Sequence, residues 1–490
     1  MPKSTTRTLS RRDALHGGIT AIAAAGIAKT LVAQDKVDVL VLGAGLAGLY
    51  AAILLKDAGF KAIVLEGAGR VGGRAFTGDH IEGRPELGAS QVGPYYARVR
   101  DMADRLGVKL LPGANLTAPY AFSINSSLLS KESWPVHKLN GTLGAERSVL
   151  PSVLLDYYFE KHNPLKGFDD WLEPEASALD VSLGHWLAQH GASDEALRLI
   201  NAGPIDADIW NVSALHLLHN DARGRLWFSG ENTPRGLDRF QKRGPTSHRV
   251  EGGTSRLPEA MAAMLGDSVR LNKIVTDIEI SAGEIQVRCM DGTLYRSRYS
   301  ISALPFTTLS RISINPPPSG RQAEAIRLLP YRANSQVHLR IKDGNYWEED
   351  GFDPSIWSDG PVSLVRQKIG GDGNREYLQA VCVGKKSERL DLLPPKERGE
   401  FVVKEIERMR PSTKGRLKVT AVHSWSEYPL VGGFRHSFWP GQVTKFAHHM
   451  ILPHQRLHFA GEHTRRLEIG MESAMESGER AALEVLDRLG

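Results

Sequence analysis

Cysteine is almost missing from this chain. Its 490 residues contain two, Cys289 and Cys382, far apart and each in strand-like surroundings. No Cys-x-x-Cys, His-Glu-x-x-His or Gly-x-Ser-x-Gly occurs, which argues against a metal centre, a dithiol redox pair and a hydrolase nucleophile. Nothing supports a disulfide. Long apolar runs are also missing: the best, Ile19 to Ala28, is Gly/Ala-rich, short and interrupted, too little for a permanent membrane span. A strong charge imbalance is absent once the amino terminus is set aside. Lys3, Arg7, Arg11, Arg12 and Lys29 against Asp13 supply +4 of the net +5, so the remainder advertises no nucleic-acid surface. What is left is an ordinary globular composition, 41% apolar, long enough to fill two or three domains.

The basic start reads as an address. Ser10-Arg11-Arg12-Asp13-Ala14-Leu15 precedes the weakly apolar run, with Lys29 just beyond it, and the arrangement resembles a twin-arginine export leader. Residues 1–33 are therefore expected to engage the twin-arginine export machinery, with cleavage near Leu31-Val32-Ala33 and a periplasmic destination. A frayed cytoplasmic tail is the alternative. Export in the folded state suits a protein that loads a cofactor before leaving the cytoplasm.

The stretch that organises the rest runs from Val37 to Arg74. Val37-Asp38-Val39-Leu40-Val41-Leu42 reads as a buried parallel strand, and it runs into Gly43-Ala44-Gly45-Leu46-Ala47-Gly48 and a helix closed by Gly59. In this Gly-x-Gly-x-x-Gly unit Gly43 allows the tight turn, Gly45 lets backbone approach a pyrophosphate, and Gly48 lets helix pack on strand. A second strand, Lys61 to Leu65, ends on Glu66, about where a ribose-binding carboxylate belongs, roughly 20 residues on. The whole unit, rather than the glycines alone, predicts dinucleotide binding.

Gly67-Ala68-Gly69-Arg70-Val71-Gly72-Gly73-Arg74 then adds a second glycine pair between two arginines. This resembles the flavin-containing amine oxidase family, bacterial monoamine-oxidase and L-amino-acid-oxidase-like members included, in which Glu-x-x-x-Arg-x-Gly-Gly-Arg follows the first dinucleotide unit. Three further segments carry the same resemblance. Glu86-Leu87-Gly88-Ala89-Ser90-Gln91 matches the turn passing the flavin ring, His458-Phe459-Ala460-Gly461-Glu462 matches the strand that meets FAD, and Gly470-Met471-Glu472-Ser473-Ala474 matches the turn opening the terminal helix. The resemblance implies noncovalent FAD held by Gly43, Gly45, Gly48, Glu66, Arg70, Gly73, Arg74, Gly88, Ala89, Ser90, Gln91, Val275, Trp425, Gly461, Glu462, Gly470 and Met471. Helix amides at Gly470 would face the pyrimidine edge, where reduction builds negative charge.

It also implies a fold: α/β, with a Rossmann-like FAD-binding domain from discontinuous segments (36–100, 245–315 and 415–490). A substrate-binding domain (101–244 and 316–414) with a mixed sheet and a helical region completes it. Residues 101–244 read as mainly helical, around Ser148 to Phe159, Leu183 to His190, Ser193 to Ile200 and Val212 to His219, with Trp171, Trp186, Trp210 and Trp227 between them. Asn334 to Ile341 and Tyr377 to Val383 read as strands flooring the substrate cavity, and Lys385 to Glu400, charged and proline-broken, as a solvated connection.

In the family an uncharged amine gives a hydride from its α-carbon to flavin N5, and the imine is hydrolysed. The protein positions the carbon and keeps the amine neutral, so no catalytic triad is expected. Five positions depart from the family pattern. Phe434 stands where monoamine oxidases attach FAD through cysteine. Arg435 and Met471 stand where two aromatic rings commonly flank the amine, leaving Phe438, Trp439 or a ring from the helical region to substitute. His338 stands where many relatives keep a lysine near N5. Gln91 stands where L-amino-acid oxidases hold the substrate carboxylate with arginine, which favours an amine, although Arg435 could clamp an acid. The expected catalytic set is His338, Arg435, Trp439 and Met471. Expected partners are a small-molecule amine, O2 or a redox carrier as acceptor, and a second copy in a homodimer. An L-amino-acid oxidase, a dehydrogenase serving a periplasmic carrier, and an inactive flavin-binding module are the competing readings.

Overall fold

Val37–Leu42 lies inside an eight-stranded sheet, parallel to Leu294–Ser302 on one side and to Ala62–Leu65 on the other. The computed structural model describes residues 36–115, 120–205, 207–226, 246–342, 344–368 and 377–490. The leader expected at 1–33 and Trp227 lie outside them.

All six residues of Val37–Leu42 except Asp38 are buried, as a strand covered on both faces should be. Leu457–Phe459 adds in parallel beyond Leu294–Ser302 and Val269–Arg270 beyond Ala62–Leu65. An antiparallel meander, Val275–Ile280, Ile285–Cys289 and Leu294–Ser302, extends one edge. Chain from three distant regions therefore shares one hydrogen-bonded ladder. Two helices cover a face of it together: Leu46–Asp57 and Gly470–Leu489 approach until a Cβ on Gly478 would stand 2.3 Å from the Ala47 carbonyl oxygen.

A seven-stranded sheet stands apart, in the order Leu417–Ser424, Asn334–Ile341, Tyr377–Val383, Leu364–Lys368, Ile356–Ser358, Ala121–Ile124, Ser127–Leu129. Two expectations need correction here. Leu417–Ser424, expected with the FAD segments, pairs antiparallel with Asn334–Ile341 instead. Its Leu417, Val419 and Val422 join the core under this sheet, where helix Pro395–Met409 covers them and the Cβ position of Gly399 stands 3.0 Å from Val419. Lys385 to Glu400 is not a solvated connection but helix Lys385–Asp391 and the start of helix Pro395–Met409. Pro395 occupies the first helical position, where the missing N–H costs nothing, and Leu390, Val402, Ile406 and Met409 bury one stripe against the sheet.

The third layer is helical: Leu154–His162, Leu183–Gln189, Asp194–Ala202 and Ala214–Leu226. Ser182 and Ser193 cap two of these, accepting from the His185 and Ala196 amides. Trp171 and Trp186 are core, while Trp210 is half exposed. Ala214–Leu226 is the helix that carries side chains into the site.

Candidate active site

One cavity of about 410 Å³ runs between these layers. At one end it meets the amino terminus of Leu46–Asp57, whose cap residue, Gly45, gives no side-chain hydrogen bond. At another it meets the amino terminus of Gly470–Leu489, equally without a side-chain cap. Uncapped first-turn amides at two long helices leave donors and positive dipole ends facing the same space.

The glycines divide by what they make room for. A Cβ on Gly48 would stand 2.0 Å from the Gly43 carbonyl oxygen, so this glycine serves helix-on-strand packing. A Cβ on Gly45 would meet no protein atom within 4 Å, although Gly45 lines the cavity. Its missing side chain serves a ligand. Gly73 lies opposite, its Cβ position 3.6 Å from the Gly45 Cα. Glu66 accepts the Ala44 and Ala68 amides at 2.7 and 2.8 Å on the wall of the cavity. Burial raises its pKa, against the pull of those amides. A cradle of this shape, with amides, a carboxylate and two glycine turns, fits the pyrophosphate and ribose of a dinucleotide.

Nearer the centre, Arg74 donates to the Phe434 carbonyl at 2.8 Å and stands 3.5 Å from Glu462. Glu462 accepts from His436 Nδ1 at 3.0 Å. Burial opposes ionisation of Glu462, but His436 and the Arg74 and Arg465 charges outweigh it and hold the carboxyl well below its usual range. Burial also keeps His436 below its usual value, so the pair is a carboxylate accepting from a neutral imidazole.

The remaining end is polar and carries rings of an unexpected kind. Tyr96, Gln91, Ser247, His216, Asn220 and Arg435 line it. Tyr96 is buried, and a Cβ on Gly470 (φ +64°) would stand 2.6 Å from its hydroxyl. His216 packs edge-on to His436 at 5.3 Å between ring centroids. Burial, then the Arg465 charge, lowers the His216 pKa well below its usual value.

Of the residues expected from sequence to hold FAD, all but Gly48 and Trp425 line this cavity. Trp425 is fully buried behind it, donating Nε1–H to the Leu87 carbonyl at 2.7 Å, with its ring 3.1 Å from the Cβ position of Gly88. It shapes the turn that the ligand would touch. Arg435 and Met471 line the cavity as well. Trp439 does not: it is 52% exposed. Phe438, one residue earlier, turns inward and packs against His216, His436 and Trp171. His338 also lies elsewhere, in a second cavity of about 100 Å³ that shares Ser90, Gln91 and Ser247 with the first. Burial and the neighbouring His423 and Lys368 charges push its pKa down to about 3, so it is neutral. Lys368 and Glu86 line that second cavity, the lysine lowered by burial to about 8 and the carboxyl raised by burial to about 7. Tyr96, His216, Asn220, Arg465 and Lys368 carry no local motif; the polar residues His216, Asn220 and Arg223 at helical spacing on Ala214–Leu226 are the nearest thing to a signal.

Among the described residues no group of three or more His, Cys, Asp or Glu is placed to hold a metal, and no helix is long and apolar enough to cross a membrane. Neither cysteine lines the cavity, so no thiol is placed for a covalent flavin link. The fold and this cradle define a dinucleotide-dependent flavoprotein. The family model for flavin containing amine oxidoreductases matches residues 46–486, and the chain belongs to that family. It is an amine-oxidising flavoenzyme whose cofactor is FAD. The human flavin-containing amine oxidase B is 27% identical over 486 residues, spanning 93% of this chain and 87% of its own. The Danio rerio flavin-containing amine oxidase is 26% identical over 474 residues, 92% and 86%. In fold, wild-type putrescine oxidase bound to putrescine matches with a TM-score of 0.78 at 23% identity, covering 93% of this chain and 100% of the other. Cyclohexylamine oxidase from Brevibacterium oxydans IH-35A matches with 0.75 at 20%, again 93% and 100%.

Proposed function

We propose that the enzyme oxidises an amine to an imine, which water converts to a carbonyl compound, and that O2 is reduced to hydrogen peroxide. The observation that carries this is the continuity of one cavity from the Gly45 cradle to the polar end at Tyr96, His216 and Asn220. When bound, FAD supplies a two-electron acceptor for the hydride of the amine α-carbon. The chain's own contribution is position and charge. The amino end of Gly470–Leu489 stabilises negative charge that builds beside Met471. Arg435 and Arg465 put positive potential at the polar end, which disfavours an ammonium there and holds the amine in its neutral, reactive form. Tyr96, the buried ring against Gly470, takes the place of an aromatic wall.

Anaerobic addition of amines to the FAD-loaded enzyme should bleach the flavin band, and air should restore it with one peroxide per turnover. Bleaching without reoxidation by air would select a redox carrier instead. Failure of every amine to bleach would end the oxidation reading. We further propose export by the twin-arginine route, on the strength of Ser10-Arg11-Arg12-Asp13; replacing Arg11 and Arg12 by lysine should leave the protein in the cytoplasm.

A further inference from the structure

An alkylamine arrives from water as an ammonium and must lose a proton before its α-carbon can give up a hydride. The polar end of the main cavity offers nothing to take that proton. Burial, with the Arg465 charge added, lowers both His216 and His436. Glu462 is held as a carboxylate well below its usual range, so it binds a proton too weakly to strip an ammonium. Tyr96 already carries its proton, burial having raised its pKa. Arg435 and Arg465 are cations, and Gln91, Asn220 and Ser247 do not titrate.

The second cavity adjoins that end, sharing Ser90, Gln91 and Ser247 with it. One of its walls is a face of the seven-stranded sheet. Residues directly opposite on neighbouring antiparallel strands share a face, and the register sets Lys368 opposite Tyr377, Arg366 opposite Gln379, and Gln379 opposite His338. All five are polar, whereas Val365, Leu378, Val337 and Leu339 on the reverse face are core. His338 is 4% exposed and its Nε2 meets no hydrogen-bond partner, which leaves a buried polar atom for water to satisfy. The cavity measures about 100 Å³, and one water needs roughly 10–15 Å³ of such space. A short chain of waters therefore fits between Lys368 and the shared wall.

We propose that Lys368 takes the proton of the incoming ammonium, relayed by water held in the second cavity. This rests on the amine-oxidation reading and deepens it. One N–H bond of the ammonium breaks and its electron pair stays on the substrate nitrogen. The water beside it passes a proton on, and the lone pair of Lys368 Nζ binds the last one in the chain. No electron changes hands, total charge is conserved, and Lys368 returns its proton to bulk solvent before the next substrate enters. The groups facing Lys368 are Arg366 on its own strand, Tyr377 on the next and His338 on the one beyond, with Glu86 from the turn before Gly88 and His248 and Arg249 from Thr246–Val250. Burial, then the Arg366 charge, lowers the lysine to about 8 while Glu86 opposes, which suits a group that must accept and release a proton near neutral pH. His338, pushed down to about 3, and His248, lowered by burial and then by Arg100, do not compete.

The test uses FAD-loaded wild-type enzyme with Lys368→Arg, which keeps the charge but cannot release its proton, and Lys368→Met, each matched to wild type for flavin content. The first readout is the pH profile of kcat/KM for two alkylamines, both more basic than Lys368 and about one pKa unit apart. In wild type the acid limb should fall near 8 for both amines. In both variants it should move to the solution pKa of each amine, with kcat/KM at neutral pH down roughly tenfold or more. Glu86→Gln removes the charge that opposes the shift of Lys368 and should move the limb below 8. The second readout needs no turnover. Calorimetry near about pH 9, in two buffers of different ionisation heat, counts the protons released when tert-butylamine binds; this amine has no α-hydrogen and cannot be oxidised. Wild type should keep the proton on Lys368 and release almost none, whereas Lys368→Arg should release about one per amine bound. The proposal is overturned if the wild-type limb follows the pKa of each amine, if Lys368→Arg keeps a limb near 8, or if both proteins release the same number of protons. If no amine bleaches the flavin, oxidation fails as a reading while the proton count still decides the role of Lys368.

Discussion

Tyr96 and Gly470 touch across a gap that only glycine permits: a Cβ on Gly470 would stand 2.6 Å from the tyrosine hydroxyl, and the glycine sits at φ +64°. Ring and helix end are thereby fixed on one side of the cavity. Gly470→Ala adds both backbone strain and a clash, so the ring must move. We expect kcat/KM per bound flavin to fall about tenfold or more, equivalent to about 1.4 kcal/mol at the transition state. Tyr96→Phe keeps the ring and should keep most of the rate. Steady-state kinetics on flavin-normalised protein checks both.

What holds Tyr96 there is a buried carboxylate. Glu472 accepts the Arg98 and Val99 amides at 3.0 and 3.1 Å and pairs with Arg98 at 3.2 Å, so one side chain of the terminal helix caps helix Ala97–Arg105. Glu472→Gln forfeits the ion pair and leaves an amide donor facing a donor. It should cost about 2–3 kcal/mol, read as a lowered thermal midpoint, and should raise KM because Tyr96 loses its support.

The part of this site legible in sequence is the part built locally. Gly43 to Gly48, Glu66 and Arg70 to Arg74 fall within one strand-turn-helix-strand unit, where spacing along the chain sets spacing in space. Tyr96, His216, Asn220 and Arg465 come from four separate segments and meet only after folding. Each is unremarkable in its own stretch. Of Phe438 and Trp439, both expected as substitutes for a missing ring, Phe438 faces in and Trp439 faces solvent, because neighbouring residues along an extended backbone point to opposite sides. The fold followed the same rule. The meander from Val275 to Ser302 was readable from its turns, whereas the sheet to which Leu417–Ser424 belongs depends on which partner covers its apolar face.

Gly45 and Gly48 belong to one motif but should fail differently. Gly45→Val meets no protein atom near its Cβ and keeps an ordinary backbone, φ −75°; the apoprotein should melt within a degree or two of wild type while FAD binds roughly a hundredfold or more weaker. Gly48→Ala drives a methyl into the Gly43 carbonyl at 2.0 Å, and overpacking of that kind costs about 1–3 kcal/mol. Its apoprotein should therefore melt early. Thermal scans of the apoproteins beside FAD titrations separate the two roles.

Glu86 and Lys368, both on the second cavity, should give the fold a two-sided pH dependence. Burial raises the Glu86 carboxyl from 4.5 to about 7, while Thr254 N–H at 2.7 Å and the Thr77 hydroxyl at 3.0 Å act to lower it. Between those values the folded state holds a proton that the unfolded chain has released, so stability falls as pH rises from about 4.5 to 7 and the penalty is complete above that. Lys368 is lowered by burial from 10.5 to about 8. There the unfolded chain holds the extra proton, so its penalty is present below about 8 and is relieved as pH rises towards 10.5. Glu86→Gln should flatten the acid-side fall, by on the order of 2 kcal/mol between pH 5 and 7, and leave the rise above 8 in place. Lys368→Met should do the reverse. Thermal midpoints of the FAD-loaded variants from pH 5 to 10 measure both slopes, and a Glu86→Gln curve parallel to wild type between pH 5 and 7 would show that the carboxyl titrates at its ordinary value.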